Sequence, residues 1–339
     1  MGRAGTADEL SNQMLSALQE DLQASLASAG EHLGPAISEM IAYHLGWSDP
    51  EQISGKRIRP LLTLLCCQAA GGDWRSALPA ASAIEWVHNF SLIHDDIQDR
   101  SELRRGRPSV WKVWGSAQAI NTGDAVFALS HLSALRMLDH GIPARKILMV
   151  DQILNETSLA LTRGQNLDIA FESAEQVQTE IYMSMIGGKT AALIGAACQI
   201  GALLSPADQD RVGAFKRFGE NLGLAFQVID DLLGVWGESE STGKSSADDL
   251  RTKKKTLPII HGLQNSPEFR RAWASVPLTD DVIERMKQLL EETGSRDYTA
   301  EWAKRYTDNA TSALQSANPR DPAGSQLASL AARLLQRVA

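Results

Sequence analysis

PAASAIEWVHNFSLIHDDIQDRSELRRGRP, residues 79–108, is the stretch that decides the fold. Over residues 80–97 nearly every position is apolar, and only Glu85 and Asn89 are expected to meet solvent. A helix that is apolar all round is buried in the middle of a large protein. Pro79 suits the first turn of such a helix, and the closing Gly-Arg-Pro predicts its exit loop. The stretch therefore predicts a buried central helix.

Three carboxylates stand at the end of this helix. Asp95 and Asp99 lie one turn apart, with Asp96 beside them, where the helix dipole is already negative. Such crowding is relieved by protonation or by a hard divalent cation such as magnesium. Arg104 and Arg105 follow and could bind an anion that the metal holds. The pattern predicts a diphosphate site, and the alternative is a solvated helix end with a charge run.

Composition limits the possible function. The chain has 339 residues, 43% of them hydrophobic, enough for a sizeable core in one large or two ordinary domains. Its net charge of −8 argues against nucleic-acid binding. Cys66 and Cys67, two of three cysteines, lie in an apolar run and predict buried thiols in a reducing cytoplasm. No signal core and no run of about 18 apolar residues appear, so we expect a soluble protein without a membrane span.

A basic segment precedes the central helix. Residues 55–60, GKRIRP, open a strongly apolar helix, and Pro60 suits its first turn. Free N–H groups at a helix start attract anions, and Lys56 and Arg59 add positive charge. This is a second candidate anion site, with a merely basic helix cap as the alternative.

The remaining periodicity is helical, without convincing strand alternation, and predicts an all-α chain. We expect helices over residues 8–29, 34–46, 116–138, 144–170, 175–204, 206–233, 257–264, 279–293, 296–316 and 323–338. Gly187 and Gly188 interrupt one of them, at a cost of about 1 kcal/mol each relative to alanine. They predict either a helix break that exposes carbonyls beside Lys189 and Thr190, or close helix packing.

A second acidic pair ends the predicted helix 206–233. Asp230 and Asp231 close this apolar segment, and Gln227 lies one turn before Asp231. The polar segment that follows, residues 237–255, carries Lys244 and predicts a mobile loop. Loops of this length in compact folds are often functional lids.

These motifs resemble those of the trans-isoprenyl diphosphate synthases. The sequences Asp95-Asp96-Ile-Gln-Asp99 and Asp230-Asp231-Leu-Leu-Gly234 are preceded by GKRIRP and separated by GGKTAAL, in the family's order, over roughly residues 50–262. The resemblance is closest to bacterial short-chain geranylgeranyl or farnesyl diphosphate synthases. It implies a single all-helical domain over residues 1–339, of the isoprenoid synthase type around a central apolar tunnel, and a cytoplasmic homodimer.

The resemblance also implies a magnesium site with three ions. In the family, both acidic motifs lie at the inner ends of facing helices and bind the diphosphate of an allylic substrate through the metal. Asp95, Asp99 and Asp230 would be direct ligands, supported by Asp96 and Asp231. Further contacts to this diphosphate would come from Arg104, Lys189 and Lys254, with Lys244 closing over it.

Isopentenyl diphosphate is the second substrate that the resemblance implies. It would bind Lys56, Arg59, His88 and Arg105. Thr190, Gln227 and the Lys189 carbonyl would face the developing allylic cation. The allylic partner would be dimethylallyl, geranyl or farnesyl diphosphate, and no nucleophilic serine or cysteine is needed. His94 could act as a base, but a packed or metal-orienting role is favoured.

Two positions depart from the family pattern. Gly234 stands where many relatives have a third aspartate, which leaves the metal affinity open. Lys253 stands where a glycine is usual. The assignment of the diphosphate contact to Lys254, and not to Lys255, is therefore left open by the sequence.

The residues before the first motif bear on product length. Phe90 is the fifth residue before Asp95, Ser91 the fourth, and Trp86 lies one turn before Phe90 on the same face. By resemblance, an aromatic with a small neighbour here implies a twenty-carbon product, geranylgeranyl diphosphate. Farnesyl diphosphate, with fifteen carbons, is the rival.

Other classes of protein are less consistent with the sequence. A metal-dependent phosphohydrolase could use His94 and Asp95 but would not require the second acidic pair. A terpene cyclase of the same fold would need no isopentenyl site. A silent partner subunit or helical interaction protein would be expected to lose acidic ligands, and both motifs are intact.

Overall fold

The computed structural model describes residues 3–47, 55–237 and 247–335. The chain divides into two compact units. Unit 1 comprises Met1–Leu159, Ala196–Lys216 and Gln315–Leu327, and unit 2 comprises Ala160–Gly195, Arg217–Leu314 and Ala328–Ala339. The expectation of a single domain stays a prediction, as does the central tunnel.

The all-α prediction is confirmed. The helices are α1 Arg3–His44, α2 Ile58–Ala69, α3 Leu78–Gln98, α4 Val110–Trp114, α5 Ser116–Leu135, α6 Ala144–Ser173, α7 Thr179–Ile186, α8 Ala192–Leu203, α9 Gln209–Trp236, α10 Asp248–Arg251, α11 Leu257–Asn265, α12 Pro267–Trp273, α13 Asp280–Glu292, α14 Ser295–Ser316 and α15 Ala323–Leu335. Short 3₁₀ helices cover Trp74–Ala77 and Arg136–His140, and a π-helix covers Gly187–Ala191. The strands in the described ranges are β1 Leu103–Arg104 and β2 Arg107–Pro108, an antiparallel pair.

Helix α3 is the centre of unit 1, as predicted. It packs against α5, α2 and α1, and its residues from Ala80 to Val87 are buried. The prediction that Glu85 and Asn89 meet solvent was wrong, because their exposed fractions are 3% and 0%. Asn89 hydrogen-bonds both Glu85 and His44, and buried polar groups are stable when they are paired in this way.

Two interruptions of the helical backbone occur at glycines. The two predicted N-terminal helices form one element, α1, whose backbone leaves the helical region at Gly34, with φ 73°. The predicted helix 175–204 is divided into α7, the π-helix and α8. Helices α4, α10 and α12 were not predicted, because a segment of two turns or less does not show a reliable period.

Unit 2 has two apolar clusters that position the second acidic motif. One joins Tyr182 of α7, Val228 and Leu232 of α9, and Leu257 of α11. The other joins Val235 at the end of α9 with Leu250 and helices α11 to α13. The end of α9 is therefore held between packed helices within this unit.

Two composition-based expectations can be compared with the structure. Cys66, Cys67 and Cys198 are buried free thiols, as expected of small apolar side chains. By length and composition alone, Thr179–Leu203 could cross a membrane, but 61% of its apolar window is buried inside the protein, as in a core helix. The expectation of no membrane span stays a prediction.

Candidate active site

The first acidic motif lies where α3 ends, in unit 1. Asp96 is buried, Asp95 is half-buried, and Asp99 is the exposed C-cap residue. Arg104 donates to Asp96 from Nε at 3.0 Å and from Nη2 at 2.5 Å. Burial and the nearby Asp99 charge raise the pKa of Asp96, although Arg104 opposes the shift. Arg104 therefore anchors the middle carboxylate of the motif.

A tight hairpin, formed by β1 and β2, carries the arginines. Arg105 and Gly106 at its tip both have positive φ, 54° and 77°, which is the backbone that a two-residue type I′ turn requires. Arg107 Nη2 donates to the Tyr43 carbonyl of α1 at 2.8 Å. The turn and this anchor hold the hairpin that carries Arg104 and Arg105 against α1.

The structure gathers the predicted isopentenyl-binding residues in unit 1. Arg59 Nη1 and His88 Nε2 are 3.2 Å apart. A Cβ added at Gly55 would lie 2.9 Å from Arg105 Nη2, so the GKRIRP segment meets the hairpin there. Lys56 is exposed on the same segment. Arg57 has a left-handed backbone, φ 46°, and such strain in non-glycine residues is concentrated at functional sites.

Electrostatics in this cluster favour anion binding. Burial, followed by the charges of Arg59 and Arg105, lowers the pKa of His88 well below its usual value, so the ring is neutral. Burial also lowers the pKa of Arg57, Arg59 and Arg105, and Glu85 opposes the shift in each case. Arginine stays charged nonetheless. We call the four basic residues Lys56, Arg57, Arg59 and Arg105, together with the neutral His88, the cation cluster.

The second acidic motif lies near the end of α9, in unit 2. Asp231 is buried and accepts hydrogen bonds from Tyr182 Oη at 2.5 Å, Gln227 Nε2 at 3.2 Å and the Leu257 backbone N at 3.3 Å. Burial raises its pKa to about 7, although Tyr182 and Gln227 lower it in part. Asp230 is half-buried. Neutral donors, not an arginine, anchor the inner carboxylate here.

The structure explains the glycine in this motif. A Cβ at Gly234 would overlap the carboxylate of Asp249, which follows in α10. Asp249 is buried, with an exposed fraction of 9%. Any side chain at position 234 would displace it, so an acid from the next helix lies where the third aspartate of the motif would project.

The Gly-Gly segment interrupts the regular α-helix and also packs closely on a neighbouring helix, while the exposure of carbonyls beside Lys189 and Thr190 stays a prediction. It forms the π-helix, a break often found at functional sites. A Cβ at Gly188 would lie 2.6 Å from the Ala160 carbonyl oxygen, so the segment also packs closely on α6. Lys189 pairs with Asp168 at 2.5 Å, and Thr190 Oγ1 donates to Gln227 Oε1 at 2.9 Å. Thr190, Gln227 and Asp231 therefore form one hydrogen-bonded chain.

The lysines after the second motif have distinct roles. Lys253 has φ 52°, which explains why glycine is usual there. Burial alone would lower the pKa of Lys254, but Asp168, Asp249, Asp231 and Asp230 together raise it. Lys255 Nζ donates to the Phe171 carbonyl at 2.6 Å, at the end of α6. Lys254, as the resemblance implied, is therefore the lysine beside the acids.

Part of the predicted loop can be compared with the structure. Lys244 and residues 238–246 lie outside the described residues. Of the rest, Asp248–Arg251 is helical, so the prediction of a continuous loop was wrong for that portion. Ala247 is the N-cap residue of this helix, with a left-handed φ of 58°, and it is buried.

The residues predicted to set product length have different neighbours. The Phe90 ring lies 5.0 Å from that of Phe127 on α5. Trp86 is fully buried, and its Nε1 donates to Ser25 Oγ of α1 at 2.9 Å. Ser91 Oγ donates to the His88 carbonyl at 2.8 Å. Phe90 thus packs towards α5 and Trp86 towards α1.

His94 is packed, as the sequence analysis favoured. Its ring is 5.0 Å from that of Phe90, and a Cβ at Gly123 of α5 would overlap it. Glycine at position 123 therefore makes room for the ring, and Asp124 Oδ1 lies 3.6 Å from its Nε2.

Sequence reasoning missed three residues of unit 2. Asp168 pairs with Lys189, Tyr182 donates to Asp231, and Asp249 lies over Gly234. A single acid on a long helix gives no signal of its own. For Asp249, the glycine in the second motif was the available signal, because the missing side chain leaves space that another group can fill.

The acids suit magnesium. Within the described ranges, no three His, Cys, Asp or Glu side chains form a ready-made metal cage. Magnesium does not need one, because it keeps several waters and binds one or two carboxylates plus substrate phosphates. Burial, with a smaller effect of the neighbouring Asp99 and Asp249 carboxylates, raises the pKa of Asp96 and Asp231, and a divalent cation would compensate the charge of such acids. The donor set therefore fits this ion.

Comparisons with known proteins give consistent matches along most of the chain. The profile of the polyprenyl synthetase family matches residues 47–293. A (2E,6E)-farnesyl diphosphate synthase of Mycobacterium tuberculosis is 37% identical, over 96% of this chain and 93% of its own length. A geranylgeranyl diphosphate synthase of the same organism is 36% identical, over 91% of this chain and 90% of its own.

Solved structures show the same fold. A polyprenyl synthetase from Streptomyces coelicolor has a TM-score of 0.84 at 34% identity, covering 96% of this chain and 98% of its own. A geranylgeranyl pyrophosphate synthase from Corynebacterium glutamicum, solved with isoprenyl diphosphate and magnesium, has a TM-score of 0.81 at 27% identity, covering 97% of this chain and 99% of its own.

Proposed function

The chain belongs to the polyprenyl synthetase family, and from this we propose that it is a short-chain trans-prenyltransferase that condenses isopentenyl diphosphate with an allylic diphosphate. The observation that carries the proposal is the cation cluster of unit 1. A cyclase or a phosphohydrolase needs the metal-binding acids but has no use for a second, metal-free diphosphate site. Arg59, the neutral His88 and Arg105 supply such a site.

Asp95, Asp99 and Asp230 are the proposed magnesium ligands, with Asp96 and Asp231 in support and three ions as the expected number. Magnesium, when bound, neutralises the charge that grows on the leaving diphosphate. Arg104, Lys189 and Lys254 add cations for the same diphosphate, as does Lys244 by resemblance. Asp96 and Asp231 suit a supporting role because both are already held by hydrogen bonds.

The reaction forms one carbon–carbon bond and releases one diphosphate. The allylic C–O bond breaks with its electron pair on the diphosphate, and the isopentenyl double bond attacks the allylic carbon. A proton then leaves the new chain, and the released diphosphate is the proposed acceptor. Gln227, Thr190 and the Lys189 carbonyl present oxygen dipoles to the cation, and the Thr190–Gln227–Asp231 chain fixes the orientation of the first two.

The proposed product is geranylgeranyl diphosphate, with farnesyl diphosphate as the alternative. The proposed primers are dimethylallyl, geranyl and farnesyl diphosphate. Phe90 is the proposed floor of the chain-binding space, with Ser91 next to it in sequence; Trp86, also predicted to bear on product length, packs towards α1 instead. Phe90→Ala should lengthen the product because the ring that blocks chain growth is removed. An unchanged product distribution would exclude Phe90 as the floor.

We also propose that the protein is a cytoplasmic homodimer. Unit 1 exposes large apolar side chains on α5 and the first half of α6, including Leu132 at 48%, Leu148 at 71% and Leu159 at 72%. Large apolar side chains that lie exposed along neighbouring helices are a feature that supports an interface. Light scattering at micromolar concentration should give twice the chain mass, and a monomer mass would exclude the dimer.

One assay separates the candidate functions. The protein is incubated with magnesium, labelled isopentenyl diphosphate and each allylic diphosphate, and the products are sized. A prenyltransferase incorporates the label into longer diphosphates. A cyclase would give hydrocarbon without consuming the label, a phosphohydrolase only alcohol or phosphate, and a silent subunit nothing.

A further inference from the structure

Glu85 is a buried carboxylate among the arginines of the cation cluster. It lies on α3, one turn before Asn89, and its exposed fraction is 3%. Asn89 Nδ2 donates to Glu85 Oε1 at 3.1 Å, and His44 Nε2 lies 3.1 Å from Asn89 Oδ1. Glu85 Oε2 is buried and has no hydrogen-bond partner among the described residues. The side chain is thus fixed through one carboxylate oxygen, while the other is buried and makes no hydrogen bond within the described residues.

The cations around Glu85 need a counter-charge. Burial disfavours the charged form of Arg59, and the Glu85 carboxylate opposes that effect, as it does for Arg57 and Arg105. Arg59 Nε is also buried without a hydrogen-bond partner in the described part of the chain. Oε2 of Glu85 makes no hydrogen bond to these arginines among the described residues, so the carboxylate compensates their charge through space, and this effect is large where water is excluded. Glu85 therefore stabilises the cluster in the absence of a bound anion.

The same carboxylate must weaken anion binding. A negative charge beside an anion site repels the ligand, and this repulsion is large where water is excluded. A site selected for maximum affinity alone would not keep a buried glutamate there. Glu85 therefore stabilises the cation cluster in the free protein and, at the same time, lowers the affinity of the cluster for its anionic ligand.

We propose that Glu85 is a positioning residue that acts as the internal counter-ion of the cation cluster, offsetting the charge of its guanidinium groups through space while limiting how tightly the cluster retains a diphosphate. The inference rests on the proposed function, because it takes the ligand of the cluster to be isopentenyl diphosphate. It adds a residue that binds neither substrate nor metal.

The chemistry of chain growth explains why a limited affinity of the cation cluster for diphosphate would help the enzyme. The new bond forms at the alkene carbon of isopentenyl diphosphate, so the product carries the diphosphate that this substrate brought into the cluster. That diphosphate must leave the cluster before the next condensation can begin. A cluster without an internal negative charge would retain the product and slow each cycle.

The test is Glu85→Gln, in which the amide oxygen can still accept from Asn89 but the charge is lost. Titration calorimetry of the purified full-length protein with inorganic pyrophosphate, without divalent metal, measures the affinity of the cluster. We expect the variant to be less stable than the wild type and to bind pyrophosphate about tenfold more tightly. Pyrophosphate should also raise its melting temperature more than that of the wild type.

Asp21→Asn is the matched control. Asp21 is a comparably buried carboxylate of unit 1, but it pairs with Arg136 at 2.9 Å and accepts from Ser82 at 2.6 Å. This variant should also lose stability, yet it should bind pyrophosphate as the wild type does. Glu85→Asp, which keeps the charge, should restore an affinity close to that of the wild type.

Kinetics supply a second readout that a merely structural role would not produce. In Glu85→Gln both the KM for isopentenyl diphosphate and kcat should fall several-fold, because the substrate and the product are both held more tightly. The KM for the allylic substrate should stay within about twofold, since that substrate binds the acids. Equal damage to both KM values would contradict the proposal.

Each outcome of the binding experiment is decisive. The proposal is overturned if Glu85→Gln binds pyrophosphate no more tightly than the wild type, or if Asp21→Asn shows the same gain. A Glu85→Gln protein that folds only with pyrophosphate supports it, whereas one that never folds while Asp21→Asn does would overturn it. A wild type that binds pyrophosphate but makes no prenyl product would contradict the proposed function, and the binding comparison would still decide the role of Glu85.

Discussion

The two acidic motifs share a sequence pattern but anchor their inner carboxylates differently. In unit 1, Asp96 is held by a bidentate ion pair with Arg104. In unit 2, Asp231 is held by Tyr182, Gln227 and a backbone N–H, all neutral. Burial raises the pKa of both carboxylates; the Arg104 cation opposes the shift for Asp96, whereas only neutral donors lower it in part for Asp231, whose pKa is about 7. Similar sequence motifs can therefore be anchored by donors of different charge.

The largest expected effect concerns what the two motifs have in common. Asp95→Asn and Asp230→Asn should each lower kcat/KM about a thousandfold, because each removes a proposed metal ligand worth several kcal/mol in the transition state. Steady-state assays at saturating magnesium measure this, with the exposed Asp308→Asn as control. A loss of kcat/KM below tenfold in either variant would show that the two motifs do not contribute equally to catalysis.

The next prediction tests their difference. Asp96→Asn should destabilise the protein by about 2 kcal/mol, because Arg104 loses its partner at a partly exposed site. Asp231→Asn should cost less than about 1 kcal/mol, because Gln227 can flip its amide and the Thr190 hydroxyl can turn to accept. Urea unfolding without metal compares the two variants. Equal costs would show that the type of anchor does not matter.

The third position of each motif should also behave differently. Gly234→Ala should cost about 2 kcal/mol, because its Cβ overlaps the buried Asp249 carboxylate. Asp99→Ala should cost less than about 0.5 kcal/mol of stability, since Asp99 is exposed. Thermal unfolding tests both variants. A stable Gly234→Ala protein would mean that Asp249 can move away without penalty.

The pH dependence of stability sharpens the comparison further. Folding raises the pKa of Asp231 from 3.8 to about 7, so the native state binds more protons than the unfolded state between these values. The free energy of unfolding should therefore fall as pH rises through this window, by at most about 1.4 kcal/mol per unit. Urea unfolding in EDTA from pH 4 to 8 should show the fall in the wild type. In Asp231→Asn this contribution should vanish, and a persistent slope of the same size would exclude Asp231 as its source.

The last prediction concerns the backbone after the second motif. Lys253 has a left-handed φ of 52°. Lys253→Gly should be more stable than Lys253→Ala by about 1 kcal/mol, because only glycine adopts this conformation without a steric cost. The alanine variant controls for the lost lysine side chain. Equal melting temperatures would show that the backbone relaxes in the variants.

The helices and the motif acids could be predicted because their signals are local. The apolar period marked α3 and α9, and the carboxylates at their ends were evident without any tertiary information. The break at Gly187 and Gly188 was predicted from glycine's helix penalty. The burial of Glu85 and Asn89 was not predictable, because their partners within unit 1 include His44 and the arginines, which lie far away in sequence.

The sequence by itself determined the helical fold, the order of the motifs and the presence of two acid pairs, because helix periodicity and end residues depend on neighbours along the chain. Only the tertiary structure decided that Arg104 holds Asp96, that Tyr182 holds Asp231 and that Asp249 lies over Gly234. Those contacts join residues on different elements, and the charge of a buried group depends on which partners surround it.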